Sequence, residues 1–325
     1  MKNFEYAKPA TLKDAVGLLG TSWGDTVVLA GGTDLVASMK DHLVSPARVV
    51  DLKAVKELTG LGGASGGFRI GALTTIDDLA RNKDLSSKYR ALWQAADSIG
   101  SPQVRNRATV GGNMTQRPRC WYYRLGYGLL GQKDGKSLVA AGDNRYHAIF
   151  GNAGPAYFVN PSSLAPALVA MDATFTIQGK TGGPRKVKAS DFFVIPKTDA
   201  DRENVLQPTD ILTEILLPAV PASSATYEVQ QKMQLDWPLA SAAVVLDLAG
   251  GTVKSARIVM GYVAPTPWRT QAAEAALVGK RITPETAAAA AEAAVKGATP
   301  LSRNGYKVQL AKVAVKRAIL AAAAS

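Results

Sequence analysis

The hydrophobic positions of the first 60 residues switch between a helical period and short β-branched runs. Residues 11–19 have helical spacing with Thr11 as an N-cap, whereas residues 26–30 and 49–52 are short strand patterns. Residues 58–73 then show a strand pattern, a glycine-rich turn and a second strand pattern, which predicts a β-hairpin. The N-terminal part is therefore predicted to consist of short α/β units.

The middle of the chain mixes both periods with segments that have neither. Helical patterns cover residues 77–81, 89–99 and 164–171, and strand patterns cover 173–178 and 211–217. Two further segments show no clear period. Residues 101–113 are too rich in glycine and polar groups for a helix interior and predict an ordered loop. Residues 117–150 carry arginines and aromatic residues with little periodicity, so no element is predicted there.

After Pro218 and Pro221, which mark a boundary, the pattern becomes regular. Strand patterns cover residues 226–231, 242–248 and 255–263, with a turn at Gly250 and Gly251. Helical patterns follow at residues 265–278, 284–296 and 304–323. Thr283 and Pro284 are typical of a helix start. The last hundred residues are thus predicted to form a small α+β lobe.

Composition excludes several kinds of site. The chain has 325 residues and one cysteine, Cys120, so an internal disulfide or a cysteine-only metal site is excluded. With His42 and His147 as the only histidines, a structural zinc site would need carboxylate ligands and is not expected. No export signal and no apolar run of about 20 residues is visible, which predicts a soluble, cytoplasmic protein without a membrane span. The lysines and arginines that give the net charge of +12 are scattered along the chain, so charge alone does not identify a binding partner.

Three nucleotide or hydrolase motifs fail on spacing or context. No GxGxxG string follows a strand pattern, and residues 131–137 have one residue too few between their glycines for a Walker loop. Residues 63–67 match the GxSxG nucleophile elbow, and His147 follows in the chain order of a triad. A strand rather than a helix is predicted after Ser65, which favours a hairpin turn over a serine nucleophile.

Two glycine pairs remain as candidate ligand loops. Gly31 and Gly32 are followed by Thr33 and Asp34, and Gly111 and Gly112 lie between Thr109 and Asn113. A diphosphate is bound by backbone N–H groups that converge without Cβ atoms in the way, so two such loops could enclose it. On residues alone, two ordinary tight turns remain the alternative.

The chain resembles the FAD-binding (medium) subunit of the xanthine dehydrogenase, carbon monoxide dehydrogenase and aldehyde oxidoreductase family of molybdenum hydroxylases. The segments that carry the resemblance are FEYAKPATLKDAVGLL at 4–19, VVLAGGTDLV at 27–36, RIGALTTIDDLA at 69–80, SPQVRNRATVGGNM at 101–114, LAPALVAMDATFTI at 164–177 and SARIVMGYVAPTPWR at 255–269. The resemblance implies an α+β fold. An FAD-binding domain would cover 1–220, with two α/β subdomains at about 1–58 and 59–220. A C-terminal lobe with a three-stranded antiparallel sheet and helices would cover 221–325.

The resemblance also implies a set of FAD-binding residues. The first loop would wrap the diphosphate, the second would close from the other side, and two less securely aligned positions would approach the cofactor elsewhere. The implied residues are Ala30, Gly31, Gly32, Thr33, Asp34, Leu35, Thr109, Gly111, Gly112, Asn113, Gln116, Ser163 and Lys232. Ser163 stands where relatives commonly have an aspartate, and Lys232 could equally be a surface lysine. No residue is expected to be catalytic towards the organic substrate.

Residues 116–124 are similar to the branch of the family whose flavoprotein subunit also holds a four-iron cluster. Such a cluster needs four thiolates, and this chain has one cysteine. We therefore expect no iron–sulfur cluster in this chain and interpret Cys120 as a small packed apolar residue.

The function implied by the resemblance is electron transfer within a larger enzyme. A large subunit would carry the molybdenum cofactor, a small subunit two-iron clusters, and FAD would pass electrons to an external acceptor, in an assembly that can be a dimer of heterotrimers. Export with a signal-bearing small subunit would place the complex in the periplasm. A free-standing flavin reductase or oxidase and a basic nucleic-acid-binding module are the alternatives.

Overall fold

A computed structural model describes residues 1–64, 66–219, 223–232 and 235–324. The N-terminal elements are β1 (Glu5–Ala7), α1 (Leu12–Gly17), β2 (Thr26–Leu29), α2 (Leu35–Lys40) and β3 (Arg48–Asp51). The strands form a parallel sheet in the order β1-β3-β2. The side chain of Thr11 accepts a hydrogen bond from the N–H of Asp14, as expected of an N-cap. Ala15 and Val16 of α1 pack against Val50 of β3, so this sheet has its own small core.

The middle part surrounds a five-stranded sheet. Its elements are β4 (Leu61–Ala64), β5 (Gly67–Gly71), α3 (Ile76–Arg81), α4 (Lys83–Lys88), α5 (Arg90–Asp97), α6 (Pro102–Arg105), α7 (Val110–Thr115), α8 (Trp121–Arg124), β6 (Gln132–Lys133), β7 (Lys136–Ser137), α9 (Leu138–Ala141), α10 (Leu164–Ala170), β8 (Thr174–Gln178), β9 (Arg185–Lys188), α11 (Ala189–Phe192) and β10 (Ile211–Pro218). The sheet has the order β4-β5-β10-β8-β9, and every neighbouring pair is antiparallel. Ile70, Leu92, Leu168 and Phe175 are fully buried in its core.

The two strings that partly match a motif, GxSxG at 63–67 and the Walker-like string at 131–137, lie at hairpins. The GxSxG string at 63–67 includes the end of β4 and the start of β5, which pair antiparallel, and Ser65 itself lies outside the described residues. β6 pairs with β7 across Asp134 and Gly135, which have φ angles of 50° and 71°. Positive φ at both turn residues is typical of a tight type I′ hairpin. Neither string forms the strand–turn–helix geometry that its motif requires.

The prediction of a loop over residues 101–113 is wrong in part, because α6 and α7 both begin there. Ser101 and Thr109 cap the two helices by accepting hydrogen bonds from the N–H groups of Val104 and Gly112. Glycine has low helix propensity, but α7 has only six residues, and Gly111 also hydrogen-bonds to the loop after β5. Capping and tertiary contacts therefore outweigh the local propensity.

The C-terminal part packs helices on an antiparallel sheet. Its elements are β11 (Ser224–Gln230), β12 (Pro238–Ala249), β13 (Thr252–Gly261), β14 (Trp268–Arg269), α12 (Gln271–Leu277), α13 (Pro284–Val295) and α14 (Tyr306–Ala323). The sheet order is β11-β12-β13-β14, and alanines of α13 and α14 are buried against it and each other. The α+β fold class is confirmed.

The expected three-stranded C-terminal sheet is corrected to four strands, because β14 adds at the edge of β13. A helix was predicted from residue 265, yet α12 begins at Gln271. Trp268 pairs with Met260 and its ring stacks on Phe150 at 5.3 Å between centroids. These contacts hold the segment extended, and local periodicity does not report them.

Within the described ranges, no helix is both long and apolar enough to cross a membrane.

Candidate functional site

The two glycine loops meet at one cavity of about 510 Å³. It lies between the N-terminal sheet and the middle part, and Trp237 from the C-terminal part also lines it. This volume is in the range of roughly 300–1,000 Å³ that is common for organic ligands. The predicted residues that line it are Ala30, Gly31, Gly32, Thr33, Asp34, Leu35, Thr109, Gly111, Gly112, Asn113 and Gln116.

Two predicted residues lie outside the lining of this cavity. The hydroxyl of buried Ser163 is 2.6 Å from the hydroxyl of Tyr262, which also donates to the carbonyl of Pro161. Lys232 is exposed on the segment after β11. The structure therefore brings the two loops together but does not bring these two side chains to them.

The first loop requires glycine because it presses against the segment before α7. A Cβ atom built on Gly31 would lie 1.8 Å from the carbonyl oxygen of Arg107, which is a backbone atom with little freedom to move. Gly32 has a φ of +78°, a left-handed conformation that side chains disfavour. The close approach of these two segments forms one wall of the cavity.

The first loop also leaves its backbone donors free. In the described part of the chain, the N–H groups of Gly31, Gly32, Thr33 and Asp34 donate no hydrogen bond to another protein group. Consecutive N–H groups around a left-handed residue form a concave anion-binding surface. The first loop can therefore bind the oxygens of a diphosphate.

The second loop differs, because its donors are already used. Gly111 donates to the carbonyl of Ala72 at 2.8 Å, Gly112 to the Thr109 hydroxyl at 3.2 Å, and Asn113 to the Thr109 carbonyl at 2.9 Å. The expected second set of free N–H groups is therefore not found in this loop. It contributes the shape of the wall and the side chains of Asn113 and Gln116.

Asp34 binds two arginine side chains beside the first loop. Its carboxylate accepts from Arg119 at 2.6 Å, from Arg124 at 2.9 Å and from the N–H of Arg117 at 2.8 Å. Burial alone would raise the pKa of Asp34, but these three donors outweigh it and hold the pKa below its usual value. Asp34 is therefore a carboxylate that fixes the arginines beside the loop, rather than a free ligand group.

Sequence reasoning missed much of the lining, including its charged and tryptophan side chains Trp23, Arg119, Arg202, Glu203 and Trp237. The guanidinium of Arg119 lies 4.9 Å from the ring centroid of Trp237, and that of Arg202 lies 4.3 Å from that of Trp23. Each pair joins residues more than a hundred positions apart, so no local pattern reports it. The arginines of 117–124 were visible as a basic, aromatic string and were the only available signal.

Cys120 is a packed thiol, as interpreted from the sequence. It contacts a small cluster of Leu129, Leu130, Ala156 and Phe158, and its sulfur is 3.1 Å from Nε2 of His147. Burial raises the pKa of the thiol, and burial together with Lys307 lowers the pKa of His147 to about 4. Both groups are neutral near pH 7. Among the described residues, no three His, Cys, Asp or Glu side chains are grouped to hold a metal.

Family models account for almost the whole chain. A model described as the FAD binding domain in molybdopterin dehydrogenase matches residues 2–220, and the CO dehydrogenase flavoprotein C-terminal domain matches residues 225–322. The chain belongs to this molybdopterin dehydrogenase flavoprotein family. It is an oxidoreductase subunit with an FAD-binding domain.

Curated members of the flavoprotein family match this chain over nearly their full length. The carbon monoxide dehydrogenase medium chain of Hydrogenophaga pseudoflava is 31% identical, over 98% of this chain and 96% of the relative. The aldehyde oxidoreductase FAD-binding subunit PaoB of Escherichia coli (strain K12) is 30% identical, over 96% of both. Both printed names describe one subunit of a larger enzyme, so family members act with partner subunits.

Solved structures of the flavoprotein family have the same fold. Carbon monoxide dehydrogenase from Hydrogenophaga pseudoflava, in a form lacking the Mo-pyranopterin moiety, matches with a TM-score of 0.78 and 32% identity, covering 99% of this chain and 98% of that one. Quinoline 2-oxidoreductase from Pseudomonas putida 86 matches with a TM-score of 0.78 and 26% identity, covering 100% and 99%. The fold and family membership therefore agree.

Proposed function

We propose that this chain binds FAD in the cavity between its glycine loops and transfers electrons within a molybdenum hydroxylase. One feature of the cavity carries the proposal: the free N–H groups of residues 31–34 lie beside Arg119. Free amides next to a fixed cation suit the diphosphate at the centre of FAD. A turn that only connects β2 to α2 would not need a cation fixed beside it by a largely buried carboxylate.

Each loop has its own part in this proposal. Residues 30–35 bind the diphosphate through their backbone, and Arg119 supplies positive charge on the same side. Thr109, Gly111 and Gly112 shape the opposite wall, where the side-chain N–H groups of Asn113 are available to the cofactor because, among the described residues, only its amide oxygen is bonded, to Ser162. Gln116 lines the same wall with its amide bonded to Pro161 and Arg119, so it positions Arg119 beside the cofactor. Bound FAD supplies the redox chemistry that side chains lack, and the protein binds it, orients it and limits its contact with water.

The chain is proposed to divide as its sequence suggested, into an FAD-binding domain at 1–220, with subdomains at about 1–58 and 59–220, and a C-terminal lobe at 221–325. Two observations support this division. The two family models end at residue 220 and begin at residue 225. The parallel sheet and the C-terminal sheet each have a separate hydrophobic cluster.

The proposed partners are a large subunit with the molybdenum cofactor and a small subunit with two-iron clusters, in a dimer of heterotrimers. Electrons arrive from the small subunit and leave the FAD for an external acceptor. The proposed compartment is the cytoplasm, or the periplasm where a signal on the small subunit exports the complex. Support comes from relatives whose names describe medium chains of such enzymes.

Purification of the full-length chain tests the proposal directly. We expect stoichiometric FAD, seen as flavin absorbance, and copurification of two partner chains when their genes are coexpressed. A purified chain without flavin absorbance after incubation with FAD would contradict the assignment. Stoichiometric FAD without partners would instead favour a free-standing reductase or oxidase. Steeply salt-dependent DNA binding would favour the nucleic-acid-binding alternative.

A further inference from the structure

A carboxyl group without a hydrogen-bond partner is buried where the C-terminal sheet meets the middle part of the chain. It belongs to Glu228 on β11, the strand that packs against α5. Both of its oxygens are buried, and neither has a hydrogen-bond partner among the described residues. A buried, ionised carboxylate without a partner is strongly unfavourable, so this position favours the neutral, protonated acid.

The protonation of Glu228 is set by burial and by two hydroxyl groups. Burial raises the pKa of Glu228 to about 7, although the hydroxyls of Ser98 and Ser163 act to lower it. In the described part of the chain, the ionisable residues of the elements packed against β11 do not contribute to this shift: Arg90 and Asp97 of α5, Asp247 of β12, and Tyr306, Lys307, Lys312, Lys316 and Arg317 of α14. A group with a pKa near 7 changes its protonation in response to a small change in the charge around it.

A network of hydrogen bonds connects this position with the cavity. The hydroxyl of Ser163 is 2.6 Å from that of Tyr262, which lies 3.2 Å from the carbonyl oxygen of Pro161. The same carbonyl accepts from the side-chain amide of Gln116 at 3.3 Å, and the amide oxygen of Gln116 accepts from Arg119 at 2.9 Å. Gln116 and Arg119 line the cavity. The network therefore runs from the hydroxyl beside the buried carboxyl group to the cavity wall.

The direction of this network depends on the charge of Glu228, because a hydroxyl group both donates and accepts. An ionised Glu228 attracts the proton of Ser163, and Ser163 then accepts from Tyr262. A protonated Glu228 leaves Ser163 free to donate to Tyr262, whose own proton then faces Pro161. Burial and Glu228 raise the pKa of Tyr262 and Arg119 lowers it, so Tyr262 interacts electrostatically with both ends of the network. Charge in the cavity and charge on Glu228 are therefore coupled.

We propose that Glu228 takes up one proton from solvent when FAD in the cavity is reduced, an inference that rests on the proposed FAD binding. Two electrons arrive from the proposed partner subunits and add negative charge to the cavity. This charge favours the neutral acid, so the carboxylate of Glu228 and a solvent proton form an O–H bond, and no bond to the cofactor forms or breaks. Glu228 lies outside the cavity lining and acts through its charge and the network, as a positioning residue.

Redox titrations of the full-length chain with bound FAD, followed by flavin absorbance from about pH 6 to about pH 9, test this proton uptake. Above about pH 7, where Glu228 is ionised before reduction, the potential of the wild type should fall with pH more steeply than that of Glu228→Gln. One extra proton per two electrons adds about 30 mV per pH unit, since a tenfold change in an equilibrium shifts a two-electron potential by this amount.

Infrared difference spectra between the reduced and the oxidised protein give a second readout that a merely structural role would not change. At about pH 8 the wild type should gain the C=O band of a protonated carboxyl group on reduction, and Glu228→Gln should not. Ser163→Ala keeps the carboxyl group but removes a donor that favours its ionised form. Its steep range should therefore begin at a higher pH than that of the wild type.

Glu292→Gln is the matched control, since Glu292 has a largely exposed side chain on α13 and removes the same charge. It should keep the wild-type dependence of potential on pH. Equal slopes in the wild type and Glu228→Gln would overturn the role of Glu228 alone, and so would an equal loss of slope in Glu292→Gln. Absence of the carboxyl band from the reduced wild type would do the same. A wild type that binds no FAD would overturn the proposed function as well.

Discussion

The two glycine pairs have similar sequences but different roles in the structure. The pair at 31–32 leaves the N–H groups of residues 31–34 unpaired and facing no protein acceptor, within the described part of the chain. The pair at 111–112 lies inside α7, and its N–H groups bond to Ala72 and Thr109. The first loop is thus available to a ligand, whereas the second is held by the protein itself.

The contrast shows that a glycine pair indicates a close approach to the backbone, but not whether a ligand or another segment of the protein makes that approach. Gly31 contacts the backbone of Arg107, and Gly111 contacts Ala72 after β5. In both cases glycine lets two segments meet, and only the remaining hydrogen-bond donors decide whether a ligand can join them. Three substitutions test this difference between the loops.

The largest effect is expected from Gly31→Ala. The new Cβ would lie 1.8 Å from the carbonyl oxygen of Arg107, so the first loop must move away from the segment that precedes α7. We expect at least a 100-fold loss of FAD affinity, since misplaced amides no longer converge, and a destabilisation of about 3 kcal/mol. Flavin titration and urea unfolding measure the two effects.

Gly17→Ala is the control for Gly31→Ala, because no atom lies within 4 Å of the position where its Cβ would be. This variant should bind FAD normally and be equally or slightly more stable. If Gly31→Ala bound FAD as tightly as Gly17→Ala, the first loop would not be the diphosphate site.

A smaller effect, mainly on stability, is expected from Gly111→Ala. The new Cβ would lie 2.9 Å from the Cβ of Ala72 and 3.0 Å from its carbonyl oxygen. This clash would push α7 away from the loop after β5. We expect a destabilisation of about 2 kcal/mol with less than a tenfold change in FAD affinity. Combining it with Ala72→Gly should recover part of the unfolding midpoint.

The opposite result for Gly111→Ala would show that the two loops do not differ in their roles. A loss of FAD binding as large as that of Gly31→Ala, at an unchanged unfolding midpoint, would mean that the second loop also contacts the cofactor through its backbone.

Most elements were predictable because their signals are local. The Thr11 cap, the 61–71 hairpin and the alanine-rich helices follow from capping, turn chemistry and propensity. The fourth strand, β14, was missed because it depends on Trp268 stacking on Phe150, a contact between distant segments. α7 was missed because two glycines concealed a capped helix.

The candidate site was predictable only in its loops. Glycine pairs are visible in a sequence, whereas the Arg119–Trp237 and Arg202–Trp23 contacts are created by folding. Asp34 was predicted as a cofactor residue, yet its carboxylate is bound by three arginine donors, a role that no local pattern distinguishes. Which backbone donors remain free is likewise a property of the tertiary structure.

The smallest effect, and one that depends on pH, is expected from Asp34→Asn. Asparagine keeps the shape but removes the charge that binds Arg119 and Arg124, so we expect a destabilisation of about 1.5 kcal/mol at pH 7. Because the folded-state pKa of Asp34 is lowered, its stabilising effect is fully present above the unfolded pKa of about 3.9 and is lost as pH falls through the folded value.

The difference in unfolding free energy between wild type and Asp34→Asn should therefore be constant from neutral pH to about pH 5 and shrink below about pH 4. Urea unfolding of both proteins across this range measures the difference. The other titratable groups are the same in both proteins, so their contributions to the unfolding free energy cancel in the difference. Asp14→Asn is a suitable control, since Asp14 makes an exposed contact with Thr11 and is not the carboxylate that binds Arg117, Arg119 and Arg124. A difference that grew on acidification would show that Asp34 is destabilised by its surroundings, and that the first loop is held in place by something other than this carboxylate.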